Sequence, residues 1–94
     1  MNRQEAEKII AEQLKLYREK PYPELIKMIK QKPSTYEFRG QSGALYHIEI
    51  QAFWDDRPDG NVRIMASIDD GGLRAFPPIS NDFIKSRSGM FVGE

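Results

Sequence analysis

Ten consecutive residues, LYHIEIQAFW at positions 45–54, alternate between two kinds of side chain. The even positions are apolar or aromatic, and they are Tyr46, Ile48, Ile50, Ala52 and Trp54. The odd positions are mixed, and they are Leu45, His47, Glu49, Gln51 and Phe53. Because successive side chains of a strand point to opposite faces, this pattern predicts a strand with one face turned to the core.

The residues that follow predict further strands and a final helical turn. The loop 55–61, DDRPDGN, is rich in turn formers, and VRIMASID at 62–69 alternates again. A tight turn at 69–72 leads to a short fourth strand at 73–76, which two prolines end. Ser80 is then predicted to cap a helical turn that carries 83–85.

The residues before the alternating run predict two helices. From Asn2 to Glu19 the apolar side chains recur every three or four positions, as in an amphipathic helix. Asn2 and Glu5 have capping-box spacing, with Asn in place of the usual Ser or Thr. Pro23 suits the first position of a second helix, which ends before Pro33. Beyond Pro33 the period changes to two, and a first strand is predicted over 36–39.

Together these elements predict an α+β fold, with an N-terminal helix pair packed on a four-stranded antiparallel meander and a short C-terminal helical turn. The loops are too short for parallel crossovers, so the strands run antiparallel. A chain of 94 residues supports one core. We therefore predict a single domain over 1–94, with helices in 1–33, the sheet in 34–76, and the helical turn and tail in 77–94.

The composition narrows the function classes. The chain has no cysteine, which excludes disulfides and thiolate zinc sites and favours a reducing, cytoplasmic setting. No apolar run is long enough for a membrane span, and acidic residues stand where a signal peptide would be apolar. The net charge of zero argues against nucleic-acid binding. That role would require the basic residues of the helical part, which are Lys15, Arg18, Lys20, Lys27, Lys30 and Lys32.

The charges are unevenly distributed along the chain. Residues 1–33 hold eight Lys or Arg and five Glu, a net charge of +3, whereas residues 34–94 hold six basic and nine acidic residues, a net charge of −3. Aspartates concentrated in hairpin loops are typical of turns. The alternative is an acidic surface that attracts a cation or a basic partner.

No motif in the sequence predicts catalysis or a bound metal. The loop at 55–61 begins like an EF-hand, but Arg57 and Ala66 stand where oxygen ligands are required. His47 is the only histidine, so it has no second imidazole to complete a metal site. As a general base it would need an orienting partner and a substrate. We predict no catalytic, cofactor-binding or metal-binding residues, and we expect a role other than catalysis.

The strand pattern places three apolar side chains on the face away from the helices: Leu45, Phe53 and Met65. Exposed apolar patches of this kind mark surfaces for partners or for self-association. The leading hypothesis is therefore a non-enzymatic cytosolic domain, of adaptor or immunity type, that binds another protein or a second copy.

The alternative is a small-ligand-binding α+β domain with a pocket between a curved sheet and the long helix. Its polar lining would be His47, Glu49, Arg63 and Arg74, with one of the two arginines holding a carboxylate or phosphate.

Four short motifs resemble those of a group of short bacterial proteins. They are FWDD at 53–56, IDDGG at 68–72, RAF at 74–76 and FVGE at 91–94. The resemblance covers residues 36–94. It implies a stand-alone bacterial α+β protein, and it brings no activity and no functional residue with it.

Overall fold

A computed structural model describes residues 1–71 and 78–94 of the chain. Its elements are α1 Arg3–Arg18, α2 Tyr22–Lys27, a 3-10 turn Met28–Lys30, β1 Ser34–Arg39, β2 Leu45–Trp54, β3 Val62–Asp69 and β4 Ile79–Lys85. The strands form one antiparallel sheet in the order β1-β2-β3-β4. The predicted α+β architecture, two helices with a four-stranded meander, is confirmed.

Helix α1 begins as its sequence predicts and then departs from the capping box. The side chain of Asn2 accepts a hydrogen bond from the Glu5 amide at 3.0 Å. The Glu5 carboxylate does not complete the box, because it accepts hydrogen bonds from the Ser42 amide, the Ser42 hydroxyl and the Tyr46 hydroxyl instead. Those donors lower the pKa of Glu5, with the Ser42 hydroxyl contributing most. Glu5 thus joins the first turn of α1 to the β1–β2 hairpin.

Helix α2 is short and begins at Tyr22, one residue before the predicted start. Pro21 takes the N-cap position with extended backbone angles, so Pro23 lies in the first turn, where no backbone donor is lost. The Tyr22 hydroxyl donates to the Gly60 carbonyl at 2.7 Å. This bond and the buried Leu25 hold α2 against the sheet.

The core lies between the helices and one face of the sheet. Among residues 1–71 and 78–94, its buried apolar side chains are Ala6, Ile9, Ile10, Leu14, Leu25, Tyr46, Ile48, Ile50, Val62, Ile64, Ala66, Ile68, Ile79 and Phe83. On β2 the even positions face inward as predicted. Trp54 is half-buried, whereas Phe53 is 37% exposed on the other face. Among the described helices, none has both the length and the hydrophobicity needed to cross a membrane.

The predicted helical turn at the C-terminal end is wrong, because residues 79–85 form strand β4. Lys85 breaks the alternation of apolar and polar residues expected of a strand, since this charged residue lies on the inner face and is only 8% exposed. Its ammonium group donates to the Arg18 carbonyl at 3.0 Å and to the Lys20 carbonyl at 2.8 Å. A cation at a helix C-terminus is favourable, so a lysine can point inward here. The strand predicted at 73–76 lies outside the described residues.

The tail after β4 folds back on that strand, as the apolar residues near its end suggest. The Val92 amide donates to the Ile84 carbonyl at 2.9 Å. The ring of Phe91 meets Phe83 edge-on at 5.9 Å, and the Arg18 guanidinium lies 3.9 Å from the Phe91 ring centre. Arg18 also donates two hydrogen bonds to the Glu94 carboxylate. The tail therefore closes over the end of α1.

Candidate functional site

The sheet has a second face, which no described helix covers. We call it the outer face. Its side chains are Thr35, Glu37 and Arg39 on β1, Leu45, His47, Glu49, Gln51 and Phe53 on β2, Arg63, Met65, Ser67 and Asp69 on β3, and Ser80, Asp82 and Ile84 on β4. Each of these residues is exposed or half-buried, in contrast to the buried positions that alternate with most of them. The outer face is therefore the broadest accessible surface on the described part of the sheet.

An apolar cluster lies at one end of the outer face. Phe53 pairs across the strands with Arg63, and Arg63 pairs with Ile84. Met65 is two residues further along β3, on the same face and diagonal to both apolar neighbours. We call Phe53, Met65 and Ile84 the apolar cluster. Met65 is within diagonal reach of Phe53 and of Ile84, while Arg63 lies between Phe53 and Ile84.

Arg63 lies within the apolar cluster and is held by two carboxylates. Its Nε and Nη2 donate to Asp55 Oδ1 at 3.0 and 2.6 Å, and its Nη1 donates to Asp82 Oδ2. These bonds, that to Asp55 foremost, raise the pKa of the Arg63 guanidinium. The arginine is therefore fixed in place with its charge balanced, and it is not a free clamp for an anionic ligand.

Three other carboxylates lie further along the outer face, and we call them the acidic row: Glu37, Glu49 and Asp69. Glu37 and Asp69 flank His47 on the adjacent strands, and Glu37 Oε2 lies 3.8 Å from His47 Nδ1. Glu49 accepts from the Gln51 amide group, and Asp69 accepts from the Gly71 backbone. Within residues 1–71 and 78–94, no lysine or arginine forms an ion pair with these three carboxylates.

The described outer face is negatively charged overall. The outer face has a net charge of −3 when Asp55, which binds Arg63 from the end of β2, is included, because it then carries five carboxylates and two arginines. The arginines are Arg39 and Arg63, and the fifth carboxylate is Asp82. The acidic half of the chain thus carries much of its charge on one surface.

The structure separates the three residues predicted as an interface. All three point outward, and Leu45 and Phe53 are 36% and 37% exposed. Leu45 and Phe53 lie eight residues apart on one strand, a distance of about 26 Å. Phe53 and Met65 are neighbours, and Ile84 joins them although the sequence did not predict it. The sequence pattern predicts a helical turn at this segment, and a helical turn does not assign Ile84 to a sheet face.

The residues predicted to line a ligand pocket do not lie between the sheet and the helix. His47, Glu49 and Arg63 are on the outer face, and Arg74 lies outside the described residues. A groove of about 420 Å³ does run between α1 and β4, where its lining includes Arg3, Glu7 and Asn81. His47, Glu49 and Arg63 do not line that groove.

The acidic loops do not form a metal site in the described part of the chain. No group of three or more His, Asp or Glu side chains there is arranged to hold an ion. Asp55 and Asp69 lie near opposite ends of β3. Asp56 accepts hydrogen bonds from the Asn61 and Arg57 amides at 2.8 Å each, which lower the pKa of its carboxyl. This aspartate therefore stabilises its own turn.

The basic residues considered for nucleic-acid binding belong to the helical part of the chain. Arg18 forms an ion pair with Glu94, and Lys20 Nζ lies 3.8 Å from Glu24 Oε2. Lys15, Lys27, Lys30 and Lys32 are exposed.

Comparison of the chain with protein-family models, with curated proteins and with solved structures finds no match. The resemblance to short bacterial proteins through FWDD, IDDGG, RAF and FVGE therefore stays a prediction.

Proposed function

We propose that this chain is a non-enzymatic protein-binding domain, of adaptor or immunity type, that docks a partner on its outer face. The apolar cluster carries the proposal. Phe53, Met65 and Ile84 surround Arg63 on a sheet face that the described helices leave uncovered. Aromatic residues and methionine are enriched at protein interfaces, where a polar rim surrounds an apolar centre.

The dimensions of the face indicate a modest interface. Four strands about 4.8 Å apart and eight residues at about 3.3 Å give a footprint near 20 by 26 Å, on the order of 500 Å² for each partner. That is at the small end of specific interfaces. We therefore propose a reversible complex.

The proposal places the protein in the bacterial cytoplasm, and it includes a second copy as one candidate occupant of the face. The absence of cysteine supports a reducing compartment, and the motif resemblance supports a bacterial origin. Small-ligand binding in a pocket between sheet and helix receives no support from His47, Glu49 or Arg63, because those residues lie on the other side of the sheet.

Site-specific photo-crosslinking tests the proposal in cells that produce the protein. Benzoylphenylalanine replaces Phe53 in one variant and Leu16 in a matched control, since Leu16 is an exposed apolar residue on α1. We expect a discrete protein adduct from position 53 and none from position 16. Mass spectrometry of the adduct distinguishes a second copy from another protein. Absence of an adduct at position 53, or the same adducts from both positions, would contradict the proposal.

A further inference from the structure

We infer that the partner of the outer face presents a cationic segment, in which lysine or arginine side chains lie on one side of an apolar anchor. This inference rests on the proposed function and specifies its partner class. The anchor would cover the apolar cluster, and the cations would lie over the acidic row.

Charge supports a cationic partner. Glu37, Glu49 and Asp69 have no lysine or arginine partner in the described chain, whereas the Arg63 charge is already balanced. The acidic row therefore offers three carboxylates to an incoming molecule. Charged groups across interfaces are arranged with complementary signs, and they accelerate the encounter of the partners.

The register of the sheet sets the spacing that the partner must match. Along β2, Glu49 is four residues from Phe53. Glu37 and Asp69 pair with His47, which is six residues from Phe53. At about 3.3 Å per residue, the carboxylates lie about 13 and 20 Å from the anchor position. A short segment of a partner protein spans both sites, provided that it carries basic residues on one side of an apolar residue.

A second copy of the chain fits less well. A symmetric dimer would place two outer faces against each other, each with a net charge of −3, and like charges disfavour that contact. The more basic helical part of one molecule does complement the sheet face of the next. That head-to-tail contact is heterologous, so it would build a closed ring or an open filament and not a simple dimer. A separate cationic protein avoids both problems.

Peptide titration of the isotopically labelled full chain tests the inference. The probes are two synthetic twelve-residue peptides, one alternating lysine with leucine and one alternating glutamate with leucine. The sheet variant is Glu37→Lys with Glu49→Lys. The control is Glu12→Lys with Glu19→Lys, two exposed positions at α1, so both variants change the net charge equally. A third variant, Glu37→Gln with Glu49→Gln, removes the charge without reversing it. The amide spectrum of each variant shows whether it folds.

We expect the lysine peptide to shift amide resonances of β1, β2 and β3. The sheet variant should weaken that binding at least tenfold, and the glutamine variant at least threefold. The control should weaken it less than twofold, and the glutamate peptide should bind at least tenfold more weakly. Equal weakening by the sheet and control variants, or equal binding of both peptides, would overturn the inference. A photo-crosslinked partner without a basic segment would also overturn it while leaving the proposed function intact, and absence of crosslinks at position 53 would remove both.

Discussion

Replacing Lys85 with methionine should destabilise the domain measurably. Methionine keeps an unbranched apolar stem, but it loses the ammonium group that donates to the Arg18 and Lys20 carbonyls. Hydrogen bonds to charged groups contribute about 1.5–3 kcal/mol, and a cation at a helix C-terminus adds about 0.3–1 kcal/mol. One ammonium serves both carbonyls, and water reaches part of a helix end, so we expect a loss of about 2–3 kcal/mol. Domains of this size have about 5–14 kcal/mol in total.

Urea denaturation followed by far-ultraviolet circular dichroism measures this loss. In thermal denaturation followed by the same signal, the melting temperature should fall by roughly 8–24 °C, since 1 kcal/mol corresponds to about 4–8 °C in small domains. Lys27→Met is the matched control, because Lys27 is an exposed lysine in the last turn of α2. Lys85→Arg should recover part of the loss, since it keeps the charge. A free energy of unfolding for Lys85→Met within about 0.5 kcal/mol of the parent value would contradict this expectation, because it would mean that desolvation of the ammonium cancels its hydrogen bonds.

Two further predictions concern pH and the faces of β4. Because the pKa of Glu5 is lowered in the folded state, its stabilising contribution is present above the unfolded pKa and is lost as the pH falls through the folded pKa. The urea concentration at the unfolding midpoint should therefore decrease at pH values below about 4.5, and Glu5→Gln should make that decrease less steep. An equally steep decrease in the variant would contradict this prediction. Because Phe83 faces the core and Ile84 faces outward, Phe83→Ala should lower the free energy of unfolding by about 3–5 kcal/mol in urea denaturation, and Ile84→Ala should lower it by less than about 1 kcal/mol. Similar losses for the two variants would argue against a strand at this segment.

The central strands could be predicted because their side chains follow a strict rule. Inward positions of β2 and β3 carry residues such as Ile48 and Ile64, and their neighbours carry polar groups such as Glu49. A one-residue shift would bury the charged side chains, so alternation alone assigns the faces. The same rule places Phe53 outward without any knowledge of tertiary contacts.

Strand β4 could not be predicted in the same way. Lys85 faces inward because carbonyls at the end of α1, more than sixty residues away in sequence, accept its protons. Ile84 faces outward, where an apolar residue is unexpected. The local sequence pattern shows neither of these orientations, so it does not predict that Ile84 belongs to the apolar cluster. The distance between Leu45 and Phe53, in contrast, follows from their eight-residue separation on one strand.

The contacts that join α1 to β4 have a consequence for the order of folding. The sheet is a meander in which each strand pairs with its sequence neighbour, so its hairpins close short loops and form quickly. Lys85 and Glu94 reach the end of α1 across 65 to 76 residues of chain. We expect these contacts to form after the hairpins. The helix would then be the last element to dock during refolding and the first to detach when the native state opens partially.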